Sequence, residues 1–185
     1  MLADSEDILI AGEAGDGKQA IEEARRLRPR VILMDLMLPG IDGAAATRAI
    51  LAELPETAIL ALASTDTEDT VMAAVEAGAL GFLDKTAQPE DYAQAIRRVA
   101  QGETWFSEHL TRRLMCRPVP PAAQPLTLRE REVLTMLARG WSNRRISQEL
   151  SIAEITVRTH VSHVLGKLGV HNRVEAALHA LRSGW

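Results

Sequence analysis

Apolar and polar positions along the chain fall into two regimes. In the first hundred residues, short apolar runs alternate with segments of helical period. Ile8–Ala11 reads as a short strand, and Gly17–Leu27 as a helix with Ala20, Ile21, Ala24 and Leu27 on one side, stopped by Pro29. Val31–Met34 is a four-residue apolar run suited to a buried strand. Ala44–Leu54 is helical, Ala58–Ala63 strand-like, Glu68–Ala77 helical and closed by Gly78, and Leu80–Leu83 a strand. Pro89–Gln101 is a helix with proline at its start, where a missing N–H costs little. Strands alternating with helices predict a parallel sheet covered by helices on both faces.

After Gln101 the alternation stops. Ser107–Met115 reads as one more helix, and "CRPVPPAAQP" (Cys116–Pro125) holds four prolines in ten residues, which predicts an extended interdomain linker. From Thr127 onward every segment is helical. Thr127-Leu-Arg-Glu130 is a capping box, with Val133, Leu134 and Leu137 on the inner face of its helix. A second helix spans about Asn143–Leu150, and a short turn at Ser151-Ile152 leads into a third, about Glu154–Leu168. On that third helix Val157, Val161, Val164, Leu165 and Leu168 form one apolar stripe, with Arg158, Thr159 and Ser162 on the other side. Asn172-Arg-Val-Glu175 caps a fourth helix that ends near Arg182. The domains are therefore 1–103, a helix and linker over 104–125, and 126–185.

Charge divides the chain at the same place. Residues 1–100 carry a net −9 and residues 126–185 a net +4, within an overall −4. The basic tail is the candidate for nucleic acid. Cys116 is the only cysteine, which excludes an internal disulfide framework and suits a reducing cytoplasm. No apolar run is long enough to span a membrane, and the acidic start, MLADSED, has none of the features of a signal peptide.

In open parallel sheets, chemistry gathers beyond the carboxyl ends of the strands. Asp35 and Lys85 each follow a predicted strand there. Pattern alone leaves a plain salt bridge open as well as a site. Likewise, two short helices joined by a tight turn, the second with a polar outer face, form either a helix-turn-helix or a small bundle that binds protein. "GEAGDGKQ" (Gly12–Gln19) imitates a phosphate-binding loop, but its last position lacks the hydroxyl and Glu13 and Asp16 are the wrong sign. A plain strand-to-helix turn accounts for it. His160, His163, His171 and His179 lack the companion ligands of a metal site.

"VILMDLMLPGIDG", "EAGALGFLDK" and "LTLREREVLTMLARGWSN…ELSIAEITVRTHVSHVLGKLGV" together resemble a two-component response regulator of the NarL/FixJ type. The resemblance covers nearly the whole chain. It implies a flavodoxin-like receiver followed by an all-helical LuxR-type effector. It makes Asp35 the phosphoacceptor and Lys85 the phosphoryl contact, and it places the switch positions at Ala63 and Phe82. Arg158, Thr159 and Ser162 would then face the major groove, Arg144, Arg145, Thr156 and Lys167 contact phosphates, and the helix bearing Ala176, Ala177, Leu178 and Leu181 serve dimerisation. The implied partners are double-stranded DNA, a sensor histidine kinase and a second copy of the chain. The implied role is that of a regulator rather than an enzyme.

Two departures bear on the receiver. By the family's spacing, the first strand and the acidic pair at its end would fall before Met1, which leaves Asp35 as the one recognisable ligand of an incomplete Mg²⁺ site. Ala63 stands where the family has a hydroxyl. As written from Met1, the chain is expected to accept phosphate poorly, and a phosphorylation-independent pseudo-receiver is the alternative reading. Without the first strand, the sheet is expected to show a gap, to close Ile8–Ala11 onto Val31–Met34, or to borrow a strand from a second molecule.

Overall fold

The computed structural model describes residues 7–64, 68–107, 110–112 and 124–184. The chain forms two compact units, Met1–Gln101 and Gly102–Trp185.

The N-terminal unit runs α1 (Gly17–Leu27), β1 (Val31–Asp35), α2 (Gly43–Glu53), β2 (Ala58–Ala63), α3 (Glu68–Ala77), β3 (Gly81–Asp84) and α4 (Pro89–Ala100). The strands form a parallel sheet in the order β1-β2-β3, with Val31 opposite Ala58 and Leu60 opposite Gly81. β2 is central, and Ile59, Leu60 and Ala61 are fully buried, which is why it reads as an unbroken apolar run. α4 contacts all three strands, α2 touches β1, and α3 touches β3. Met34, Ile50, Val71, Val75 and Val99 fill the space between these layers. Arg25 clasps Glu53 with two hydrogen bonds, 2.7 and 2.5 Å, and so ties α1 to α2.

Ile8–Ala11 is not a strand. Leu9 and Ile10 are 90% and 56% exposed, and β1 pairs with β2 alone. Among the described residues the sheet therefore shows the gap rather than the collapse. An apolar run becomes a strand only when a neighbour accepts its N–H and C=O groups, and no such neighbour is offered to Ile8–Ala11. Asp7, just upstream, is held by two bonds from Arg97 on α4, 2.7 and 2.8 Å.

The C-terminal unit contains α5 (Leu128–Ala138), α6 (Asn143–Glu149), α7 (Glu154–Leu168) and α8 (Arg173–Arg182). The capping box of α5 is present in both directions, from Thr127 to the Glu130 N–H and from Glu130 back to the Thr127 N–H. Ser142 caps α6, and Asn172 caps α8 by accepting from the Val174 and Glu175 amides. Ala153 offers α7 no side-chain cap. Ser151, at φ +51°, makes the tight turn between α6 and α7. Leu126, Val133, Leu134, Leu137, Ile146, Val157, Val164, Leu168, Ala176 and Ala180 form one core.

The compact unit begins earlier than the linker expectation drew it. Thr104 lies against Gly140: its N–H donates to the Gly140 carbonyl at 3.4 Å, and a side chain at Gly140 would meet its hydroxyl. Of the helix expected over Ser107–Met115, residues 110–112 are helical, and most of the rest lies outside the described residues, as does the proline-rich stretch 116–123.

Candidate functional site

β1 delivers Asp35 to the carboxyl rim of the sheet, and the chain must then turn at once into α2. Gly43 makes this turn possible. Its N–H donates to the Leu36 carbonyl at 3.2 Å, and a Cβ there would sit 2.0 Å from the Asp35 carbonyl oxygen. Asp42 caps α2 through the Ala45 amide at 2.7 Å.

β3 delivers Lys85 to the same rim. The Lys85 N–H donates to the Ala63 carbonyl at 3.0 Å, and the Tyr92 hydroxyl donates to the Lys85 carbonyl at 3.3 Å. With its backbone held on both sides, Lys85 reaches across the rim and places Nζ 2.5 Å from Asp35 Oδ2. Asp35 Oδ1 accepts from the Met37 N–H at 2.9 Å. Burial pushes the Asp35 carboxyl up, but the Lys85 ammonium and the Met37 amide outweigh it and hold the group below the usual carboxylate value. Asp35 is thus an ionised, partly exposed carboxylate with one cation fixed beside it.

At the two positions expected to act as switches, Ala63 is 1% exposed and Phe82 5% exposed, so both side chains are buried. No group of three or more His, Cys, Asp or Glu side chains that could hold a metal occurs among the described residues. One carboxylate, already bonded by a lysine, does not make the near-octahedral oxygen cage that Mg²⁺ needs. The described residues at this rim therefore do not fit a Mg²⁺ site. The loop Gly12–Gln19 is self-satisfied: the Gly15 N–H donates to Gln19 Oε1 at 2.6 Å and the Gln19 N–H to Asp16 Oδ1 at 2.8 Å. Lys18 lies 4.0 Å from Glu22, one turn along α1, instead of reaching into the loop.

In the C-terminal unit, α6, the tight turn and α7 form a helix-turn-helix. Arg158, Thr159 and Ser162 are all exposed on α7, with Arg158 3.5 Å from Glu154 one turn back. Thr156 and Arg144 are exposed as well. Arg145 is exposed but engaged: its guanidinium stacks 4.3 Å from the centre of the Trp141 ring and lies 3.8 Å from Glu103.

Two placements differ from expectation. Lys167 does not stand free for phosphate, because its Nζ bonds Glu130 Oε2 at 2.7 Å. Glu130 is 4% exposed, and a buried carboxylate is stable only when it is paired. On α8, Ala176 is fully buried in the core and offers no dimerisation surface. Ala177 and Leu178 are also buried, and Leu181 is half-buried.

Pattern reasoning missed Arg173. It is half-buried, bonds the Trp141 carbonyl, and has Glu103 as its counter-charge. Burial lowers its guanidinium to about 10. An arginine immediately after an N-cap reads as surface, so no local signal marks it.

The family model described as the response regulator receiver domain matches residues 1–97, and that of bacterial regulatory proteins of the luxR family matches residues 124–180. The chain belongs to the LuxR-type response regulators. The transcriptional regulatory protein LiaR of Bacillus subtilis is 39% identical over 184 residues, covering 96% of this chain and 86% of LiaR. The response regulator protein VraR of Staphylococcus aureus is 37% identical, covering 98% of this chain and 88% of VraR. Among solved structures, the response regulator ChrA of a heme-sensing two-component system is 37% identical, with a TM-score of 0.51 over 99% of this chain and 88% of ChrA. RcsB of Salmonella typhimurium, at 25% identity, aligns with a TM-score of 0.58 over 98% of this chain and 89% of RcsB.

Proposed function

We propose that this LuxR-type response regulator accepts a phosphoryl group on Asp35 from a sensor histidine kinase, and that α7 binds duplex DNA as part of a homodimer to control transcription. The observation that carries the first half is the Lys85 ammonium 2.5 Å from Asp35, both fixed on the carboxyl rim of one parallel sheet. An Asp35 carboxylate oxygen attacks the phosphorus and forms an acyl phosphate as the bond from phosphorus to the donor breaks. Most of the work in such a transfer is positioning and charge neutralisation. Lys85 is placed to swing from the carboxylate to the incoming phosphoryl oxygens. Ala63 offers no hydroxyl to that group.

The second half is supported by the exposed helix α7, by the net +4 of residues 126–185, and by family membership. Arg158, Thr159 and Ser162 are its groove-facing residues, with Arg144, Arg145 and Thr156 toward phosphates. Leu181 is the remaining half-exposed member of the proposed dimerisation set.

Intact-mass spectrometry after incubation with acetyl phosphate, with and without Mg²⁺, tests the phosphoacceptor. A phosphoryl adduct of low stoichiometry that disappears in Asp35→Asn is expected. No adduct on the wild-type chain, or an equal one on the variant, overturns the assignment.

A further inference from the structure

At roughly 100° per residue, the core stripe of α7 centres on Val157, Val164 and Leu168, and the direction opposite it is occupied by Ile155, Thr159, Ser162 and Gly166. Three of those four are small. Ile155 is a large apolar side chain left 68% exposed. Single exposed apolar residues are ordinary on a protein surface, but this one sits at the second position of the helix, on the axis of its outward face. In helix-turn-helix proteins, the N-terminal residues of the second helix reach the base edges.

Thr159, one turn further on, has spent its hydroxyl: Oγ1 donates to the Ile155 carbonyl at 3.1 Å. Its one donor is therefore directed back onto the helix, and its methyl is the apolar group of an exposed side chain. Ile155 and Thr159 thus form a small apolar pair beside Arg158, which is the long cationic side chain of the same turn. The one apolar group that a base pair shows in the major groove is the thymine 5-methyl.

We propose that Ile155, backed by the Thr159 methyl, is a specificity-determining contact that reads a thymine 5-methyl group in each half-site. This rests on the reading of α7 as the DNA-binding helix. Arg158 supplies hydrogen bonds to a base, and Ile155 supplies discrimination by shape and desolvation next to it. The buried area of one methyl group corresponds to about fourfold in affinity.

The full-length chain is first used to select duplexes from a random-sequence pool. Each thymine of one selected, fluorescently labelled duplex is then replaced in turn by deoxyuridine, which removes only the methyl. For the wild-type chain, one replacement per half-site is expected to weaken binding about fourfold. Ile155→Ala is expected to bind the thymine duplex about four- to tenfold more weakly and to bind the deoxyuridine duplex no worse than the thymine one. Wild-type binding that is indifferent to every deoxyuridine overturns the contact while leaving DNA binding intact. A deoxyuridine effect of equal size in Ile155→Ala does the same. A pool from which the wild-type chain enriches nothing overturns the DNA-binding reading itself, and this contact with it.

Discussion

Glu130 is a buried carboxylate that ties α5 to α7 through Lys167, and removing its charge has a calculable cost. The carboxylate is 4% exposed; Oε2 accepts from Lys167 Nζ and from the Thr127 N–H, each at 2.7 Å. Bonding to Lys167, followed by the Thr127 amide, holds its pKa at about 2 against an ordinary 4.5. A depressed carboxylate pKa contributes stability above the unfolded value and loses it as pH falls through the folded one. The contribution is thus complete above about pH 5 and fades toward pH 2. Taken at face value the shift is worth about 3 kcal/mol. Lys167 keeps 24% of its side-chain surface in water, which screens the pair and brings the expectation to about 2 kcal/mol. Glu130→Gln preserves shape and an acceptor for Thr127 while removing the charge. For a unit of this size, about 2 kcal/mol lowers Tm by roughly 8–16 °C. All three tryptophans, Trp105, Trp141 and Trp185, lie after Gln101, so their fluorescence reports unfolding of this unit. The gap between wild type and Glu130→Gln should be widest near pH 6–7 and close as pH falls below 4. A gap under about 3 °C, or one of constant size from pH 7 to pH 3, would refute the reasoning.

Gly43→Ala forces a Cβ to within 2.0 Å of the Asp35 carbonyl. The N-terminal unit should lose about 3 kcal/mol or more, read by far-UV circular dichroism during urea unfolding, and a near-neutral variant would contradict the tight β1–α2 turn. Arg158→Ala should weaken binding to a selected duplex by about 1–3 kcal/mol and relax base preference at one position, and unchanged titrations on selected and random duplexes would remove it from the reading face. A fragment 126–185 should show helical circular dichroism and a cooperative melt, and a fragment 102–185 should melt higher because Thr104 and Glu103 rejoin Gly140, Arg145 and Arg173. Equal midpoints would show that those contacts contribute nothing.

Much of this protein was legible in the chain because the determining interactions are local. The periods of α1 to α4 and of α5 to α8, the capping box at Thr127, and Asp35 at the end of an apolar run all follow from neighbours within a few residues, and the structure places them within a residue or two. Where an element's existence or a side chain's partner depends on a distant segment, local pattern was silent. Ile8–Ala11 has strand-like composition, yet a strand needs a ladder, and none is supplied to it. Lys167 reads as a surface cation at the end of a DNA-binding helix. It is the packing of α5 against α7 that brings it to a carboxylate 37 positions away. Arg173 and Glu103 lie 70 residues apart and have no shared pattern, and they meet because the chain after α4 folds back onto the helix-turn-helix. Local periodicity decided which segments are helices and strands and where the charged groups sit along them. Which of those charges face solvent, and which neutralise one another inside the core, was decided by desolvation, which acts only once the helices have closed around them.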